Sequence, residues 1–338
     1  MSPEELEIAV IGAGSWGTAM AVLLSRKSHR VTLWARDHQL AREIAKNHEN
    51  PRYLPGIQLP SIEVTADLDD LIGLGVFFLA VPSFAMRELA RSLRVALGAQ
   101  AEGAVWVSLT KGLEYESAGL VTMSQVLKEE LGSRLVFALS GPSFADEVAR
   151  GFPTTVVLAG PDEKWASTMQ RALMTERFRV YISDDLLGVE LGGAIKNVIA
   201  LAAGASDGLG FGVNAKGALV SRGLVEMTRL GVALGAKKET FFGLAGLGDL
   251  VITCMSDKSR NHRVGERIGQ GETLEEILAS MEMVAEGVYA ARAIHRFAAE
   301  KGLDLPITKA VYEVLYEGAD PNEKLTELMT REPKREEI

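Results

Sequence analysis

The run Ile8-Ala9-Val10-Ile11 passes directly into Gly12-Ala13-Gly14-Ser15-Trp16-Gly17, and a small-residue helical pattern over 18–24 follows at once. Nothing else in the chain restricts its fold as much, because an apolar run, three glycines at G-x-G-x-x-G spacing and a helix describe a strand that turns sharply into a helix. Gly12 permits the tight turn, Gly14 lets the backbone approach a pyrophosphate, and Gly17 lets helix and strand pack closely. The free N–H groups at the helix start then face the anion. Alone the motif is weak evidence. A second apolar run, Val31-Thr32-Leu33-Trp34, arriving where a strand–helix–strand unit needs it, makes it strong.

Further strands are expected at 76–81, 105–108, 135–139, 154–159 and 178–182, with amphipathic helical stretches between them, for example 84–97 and 118–131. Strand and helix in alternation predict an α/β fold that opens with a doubly wound, largely parallel sheet of the Rossmann type. Past residue 185 the strand signals fade and helical patterns take over, at 215–234, 274–281, 290–301 and 309–317. The expected organisation is a dinucleotide-binding domain over 1–185, an all-helical substrate and catalytic domain over 186–330, and a charged tail over 331–338. Ligands bind such sheets beyond the carboxyl ends of the strands, so the residues that follow each strand carry the most information.

Charge and cysteine content narrow the partners. Thirty-six Lys and Arg against 45 Asp and Glu leave the chain at −9. It therefore has no overall field for nucleic acid or an anionic membrane, and an anionic ligand must be held by a local cluster of cations. The single cysteine, Cys254, rules out an internal disulfide and fits a reducing compartment. Within the apolar run Leu250-Val251-Ile252-Thr253-Cys254 it reads as a packed residue rather than a nucleophile. No stretch of about twenty apolar residues is free of charge, and the start Met1-Ser2-Pro3-Glu4-Glu5 is acidic where a signal peptide is basic. A cytoplasmic protein without stable membrane insertion is expected. No set of His, Cys, Asp and Glu has metal-ligand spacing, which points to metal-free hydride transfer.

Residues 187–204 read as a buried helix, with Leu187, Leu191, Ile195, Val198, Ile199 and Ala202 at three-to-four-residue spacing and Lys196 as the only cation. One turn from Lys196 lie Gly192, Gly193 and Ala200. Its face of the helix is nearly bare, and close approach by another backbone or by a ligand is expected to compensate the helical glycines. A lysine kept from water has its pKa lowered toward the range of a general base. The competing reading is a lysine that snorkels from a core helix to solvent.

Other candidates follow the strands. After the second strand, Arg36 stands where a cation pairs with a 2′-phosphate, and Asp37 one step later leaves NADH acceptable; the alternative for Arg36 is a solvated turn residue. Lys111, in Leu109-Thr110-Lys111-Gly112, is a second cation for an anionic substrate or for the nicotinamide side of a cofactor. Gly141 and Ser143, in Ser140-Gly141-Pro142-Ser143-Phe144-Ala145, offer an N–H and a hydroxyl to an oxyanion, or form a plain turn. Asp249 follows a glycine-rich turn and either orients Lys196 or satisfies local N–H groups. Ser259-Arg260-Asn261 has the donors a phosphate monoester needs. His262 follows them, but its spacing assigns it nothing.

Six ordered motifs, Gly12 to Gly17, Ser108 to Gly112, Ser140 to Ala145, Glu190 to Ala203, Gly246 to Cys254 and Ser259 to Asn261, together resemble the NAD(P)-dependent glycerol-3-phosphate dehydrogenases of the bacterial type, from about Ile8 to about Leu328. The resemblance implies that Lys196 is the proton acceptor. It implies cofactor contacts, to NADP(H) or NAD(H), at Ser15, Trp16, Arg36, Tyr53, Lys111, Ala145, Arg260, Val284 and Glu286, beside Gly12, Gly14 and Gly17. Substrate contacts are implied at Lys111, Gly141, Ser143, Lys196, Asp249, Ser259, Arg260 and Asn261. The small-molecule partners would be glycerol 3-phosphate and dihydroxyacetone phosphate, interconverted to supply glycerophospholipid synthesis, and a homodimer is compatible with the sequence. A β-hydroxyacid dehydrogenase is the rival enzyme reading. A dinucleotide-sensing protein without turnover is the non-enzymatic one.

Overall fold

The structure is a computed structural model that describes residues 5–117, 119–333 and 335–336. Most of the acidic start, Ala118 at the head of one expected helix, and Lys334, Glu337 and Ile338 of the tail lie outside the described residues. Eight strands form one sheet in the order Phe178–Ser183, Thr154–Ala159, Val136–Ser140, Val105–Ser108, Val76–Leu79, Glu7–Ile11, Arg30–Trp34, Glu63–Thr65. Glu7–Ile11 pairs in parallel with Arg30–Trp34 on one side and Val76–Leu79 on the other, so the chain winds outward from it in both directions. The carboxyl end of this strand is thus a switch point, and the glycine-rich turn leaves from it. Ile8, Val10, Phe77 and Phe78 are fully buried, which is why these strands are continuous apolar runs rather than alternating ones.

One pair breaks the expected parallel pattern: Val136–Ser140 and Thr154–Ala159 run antiparallel. The connection between them holds only the five-residue helix Ala145–Ala149. At about 1.5 Å per residue it cannot carry the chain back along a strand, so the chain returns in the opposite sense. The helix Glu163–Leu173 is long enough, and Phe178–Ser183 accordingly pairs in parallel with Thr154–Ala159.

The described chain divides into two compact units, one running to Thr110 and resuming over Met123–Val189, the other comprising Lys111–Thr122 and the chain from Glu190 onward. This differs from a simple division at 185/186. The stretch expected to be helical from residue 118 is instead half of a hairpin, Leu113–Glu116 with Gly119–Thr122, and the helix begins only at Met123. Gly119 adopts φ +113, which a helix excludes, and a Cβ on it would lie 3.3 Å from the Phe297 ring. The hairpin packs on the helix Glu286–Lys301: Arg296 lies over the Tyr115 ring and the Tyr115 hydroxyl donates to Glu300. From Leu186 to Met329 the regular elements are all helical, and those from Glu190 onward with the added hairpin make up the second unit.

Its long helix, Leu186–Gly208, buries Val189, Leu191, Ala194, Ile195, Val198 and Ile199. It is long and apolar enough to cross a membrane, but 83% of its most apolar window is buried within the protein, as a core helix requires.

Candidate active site

Asp249 is delivered by a single π-helical turn, Leu244–Gly248, that runs into the helix Asp249–Met255. Thr253 follows one turn later on the same face. The π turn presses its backbone onto the long helix at Gly192, where a Cβ would lie 2.6 Å from the Ala245 carbonyl oxygen. The close approach demanded by this helical glycine is therefore made by another backbone, and it sets the aspartate one turn from Gly192, against Lys196. The lysine does not snorkel. Lys196 is 5% exposed, and its Nζ donates to Asp249 Oδ1 at 2.5 Å and to Thr253 Oγ1 at 2.8 Å. Lys111, at the foot of the hairpin, donates to the other carboxylate oxygen, Oδ2, at 2.8 Å.

Two ammonium groups thus flank one carboxylate that is 1% exposed. Desolvation lowers the pKa of Lys196 to about 8; the Asp249 charge opposes this shift and the Lys111 charge adds to it. Burial pushes Asp249 upward, but the two lysines more than offset it and hold the carboxyl below its ordinary range. Cys254, fully buried beside the pair, has its thiol pushed up to about 12 by desolvation, which leaves it the packed role expected of it. Thr253 gives its own hydrogen to the Asp249 carbonyl at 2.6 Å, so toward Lys196 it only accepts. Asp249 and Thr253 together take two hydrogens of Nζ. The third tetrahedral position of the nitrogen is the one that holds a hydrogen in the ammonium and a lone pair in the amine.

A second chain of contacts runs through two asparagines. Asn197 Nδ2 donates to the Lys111 carbonyl at 3.1 Å, and Asn197 Oδ1 accepts from Asn261 Nδ2 at 2.9 Å. Asn261 Oδ1 in turn accepts from Gly287 N at 2.8 Å, which ties in the segment carrying Val284 and Glu286. Ser259 is the N-cap of the helix Arg260–Gly269, its oxygen accepting from His262 N at 3.2 Å. Of the triplet read as phosphate donors, Arg260 is the member with solvent-exposed surface, yet burial around its guanidinium lowers its pKa against the opposing charge of Glu286, while Asn261 braces Asn197. Asn197 and Thr253 were not singled out from sequence. A buried amide beside Lys196 and a hydroxyl four residues past Asp249 are the signals that point to them.

The remaining expected residues belong to the first unit. Gly12 has φ +107, and a Cβ there would lie 2.7 Å from the Ala80 carbonyl oxygen; one on Gly17 would lie 1.9 Å from that of Gly12. Around Gly14, at the start of the helix Ser15–Ser25, nothing lies within 4 Å of a Cβ position. Trp16 Nε1 is buried with no partner among the described residues. Bare backbone at a helix N-terminus fits the pyrophosphate of a dinucleotide. Asn50, missed from sequence, braces this turn by donating to the Ala13 carbonyl and to Thr18 Oγ1, both at 2.8 Å. The loop after it brings Tyr53 to Ser15, whose hydroxyl donates to the Tyr53 carbonyl at 2.6 Å. Arg36 is exposed at the end of Arg30–Trp34. Asp37 is the N-cap of His38–Asn47, one oxygen of its carboxylate, Oδ1, accepting from both Gln39 N and Leu40 N. Ser143 donates to the Gly141 carbonyl at 2.9 Å, and Ala145 opens the short helix after it.

A doubly wound sheet with a glycine-rich turn at its switch point, followed by a helical unit that keeps a lysine from water, defines a nicotinamide-dependent oxidoreductase. The N-terminal model of NAD-dependent glycerol-3-phosphate dehydrogenase matches residues 7–166 and the C-terminal model residues 185–326. Glycerol-3-phosphate dehydrogenase, NAD(P)+-dependent by name, from Nitratidesulfovibrio vulgaris (strain DP4) is 49% identical over 335 residues, 98% of this chain and 100% of that one. The enzyme of the same name from Moorella thermoacetica is 49% identical over 98% of this chain and 97% of its own. Among solved structures, glycerol-3-phosphate dehydrogenase from Coxiella burnetii superposes with a TM-score of 0.91 at 39% identity, covering 97% of this chain and 99% of that one. The chain belongs to the NAD(P)-dependent glycerol-3-phosphate dehydrogenase family.

Proposed function

We propose that the chain interconverts sn-glycerol 3-phosphate and dihydroxyacetone phosphate with Lys196 as the general base. The observation that carries this is the buried lysine whose nitrogen has two hydrogens committed to Asp249 and Thr253 and one position left to exchange a proton. In oxidation the neutral amine takes the proton of the secondary hydroxyl; in reduction the ammonium returns it to the nascent alkoxide. A bound NAD(P) supplies the hydride acceptor. The glycine-rich turn with Ser15, Trp16, Tyr53 and Ala145 would hold it, Arg260, Val284 and Glu286 are further residues the family resemblance assigns to it, and Arg36 would select a 2′-phosphate.

Lys111 and Arg260, with the Ser259 hydroxyl and the donors of Gly141 and Ser143, would fix the substrate phosphate and hydroxyls, and Asn261 would act on them through Asn197. With Lys196 protonated, as in the reductive direction, the two lysines around a single carboxylate leave an excess positive charge that suits dihydroxyacetone phosphate. The rival β-hydroxyacid substrate would present a carboxylate next to the carbinol rather than a phosphate at the far end of the molecule. The setting we assign is the cytoplasm, with the product directed to glycerophospholipid synthesis and the chain working as a homodimer. Loss of NADPH absorbance on addition of dihydroxyacetone phosphate, with no response to β-keto acids, is the expected result. The reverse pattern would overturn the assignment.

A further inference from the structure

His262 is the one buried polar residue next to the Ser259-Arg260-Asn261 triplet that the proposed chemistry leaves without a task. It is 5% exposed, and its Nε2 lies 2.7 Å from Asp207 Oδ2. A carboxylate only accepts, so Nε2 carries the hydrogen. The other ring nitrogen, Nδ1, is buried without a partner among the described residues, which makes Asp207 the single polar hold on the ring. Asp207 sits in the last turn of the long helix Leu186–Gly208 and is itself anchored by Lys216 Nζ at 2.5 Å.

The two helices joined by this pair, Leu186–Gly208 and Arg260–Gly269, touch through their backbones. A Cβ on Gly204 would lie 1.9 Å from the His262 carbonyl oxygen, and one on Gly265 would lie 2.0 Å from that of Leu201; Gly208 and Gly269 repeat the pattern one turn on. Faces this smooth allow a very close approach, but they lack the side-chain knobs that ordinarily fix the rotation and register of packed helices. Polar contacts at one end must supply that. Two adjacent residues do so: Asn261 reaches Asn197 and His262 reaches Asp207, about 100° apart around their helix. Either contact alone leaves the helix a pivot, and the two together remove it.

We propose that the Asp207–His262 pair is a positioning device for phosphate recognition, setting the register of the Arg260–Gly269 helix so that Asn261 meets Asn197 and Arg260 is aimed at the substrate phosphate. The inference rests on the reaction proposed above. His262 acts through Arg260 and Asn261, so its removal loosens phosphate binding and leaves proton transfer at Lys196 alone.

Steady-state kinetics of the full chain with NADPH, on dihydroxyacetone phosphate and on unphosphorylated dihydroxyacetone, test it. His262→Leu should raise KM for dihydroxyacetone phosphate by about ten-fold or more, with the pH midpoint of turnover unchanged. It should leave kcat/KM for dihydroxyacetone at the wild-type value. His262→Gln, which keeps a donor toward Asp207, should recover most of the loss. Both substrates are read on one preparation, so the ratio of their kcat/KM values is unaffected by any misfolded fraction. An unchanged ratio, or an equal loss on both substrates, overturns the positioning role while the reaction stands. A wild-type chain inert toward dihydroxyacetone phosphate overturns the reaction and this inference with it.

Discussion

Six consecutive residues, Gly12 to Gly17, make the anion-facing turn of the first unit almost wholly from backbone, whereas the ion cluster of the second unit draws Lys196 and Lys111 from 53 and 138 residues away from Asp249. In the turn, what matters is what is missing: a Cβ on Gly12 or Gly17 would strike a carbonyl oxygen. In the cluster, what matters is a balance of charges shut away from water. The two regions should therefore fail differently. Steric intrusion into the turn should damage stability and cofactor affinity without regard to pH, and a change of charge in the cluster should damage turnover and its pH profile with the fold retained.

The largest effect is expected at Lys196. Lys196→Ala removes the proposed proton acceptor and should lower kcat by about 10²–10⁴-fold, with NADPH affinity nearly unchanged in a fluorescence titration. Near-normal turnover would take the base role from Lys196 and make the buried ion cluster purely structural. Gly17→Ala comes next. Its methyl would overlap the Gly12 carbonyl at 1.9 Å, so the helix must shift from the strand, at a cost of about 1–3 kcal/mol. Thermal melts and NADPH titration should both show the loss. A variant that binds NADPH like the wild type would mean that the turn gives way freely, and the contrast between the regions would lose its basis.

Charge changes within the cluster sharpen the contrast further. With the pKa of Lys196 at about 8, the rate of alcohol oxidation should rise as pH rises through that value, and the reductive rate should fall over the same range. Asp249 raises this pKa and Lys111 lowers it, so Asp249→Asn should move the midpoint down and Lys111→Met should move it up. Midpoints displaced in the same direction would refute the electrostatic account. Stability carries the same signature. The unfolded lysine, near 10.5, binds more protons than the folded one between about pH 8 and 10.5, so stability rises with pH in that window and the contribution is lost as pH falls through about 8.

The same contrast explains what could be read from sequence. The turn is local, and spacing alone placed Gly12, Gly14 and Gly17 correctly between a strand and a helix. Lys196 was legible because a lone cation in an apolar helix is conspicuous, and Asp249 because a glycine-rich stretch announced a turn. Asn50, Asn197 and Thr253 were not. A buried amide or hydroxyl adds nothing to a hydrophobic period, and its worth lies entirely in a partner far along the chain, as between Asn197 and Asn261. The hairpin over 113–122 escaped for a related reason: its strands are short, and their apolar side rests on Phe297 of a distant helix rather than on the main sheet. Asp37 shows a different kind of gap: its helix-capping role depends on where His38–Asn47 begins, which the hydrophobic pattern does not mark.

The smallest expected effect concerns Arg36, which lies outside both regions and tests how much of cofactor choice the backbone turn leaves to a side chain. The turn addresses the pyrophosphate, which NADH and NADPH share, so it cannot discriminate between them. Discrimination must come from elsewhere, and at the end of the second strand Arg36 is exposed while Asp37 caps His38–Asn47 through one carboxylate oxygen. A guanidinium facing solvent is worth about 1 kcal/mol toward a phosphate in water, so Arg36→Ala should raise KM for NADPH by roughly five- to ten-fold and leave KM for NADH within about two-fold. Equal losses with both cofactors would place Arg36 among solvated turn residues. An Asp37→Ala variant then separates the remaining possibilities: if Asp37 only caps its helix, the substitution lowers the melting temperature and shifts neither KM, since removing a cap acts on the fold and not on the ribose.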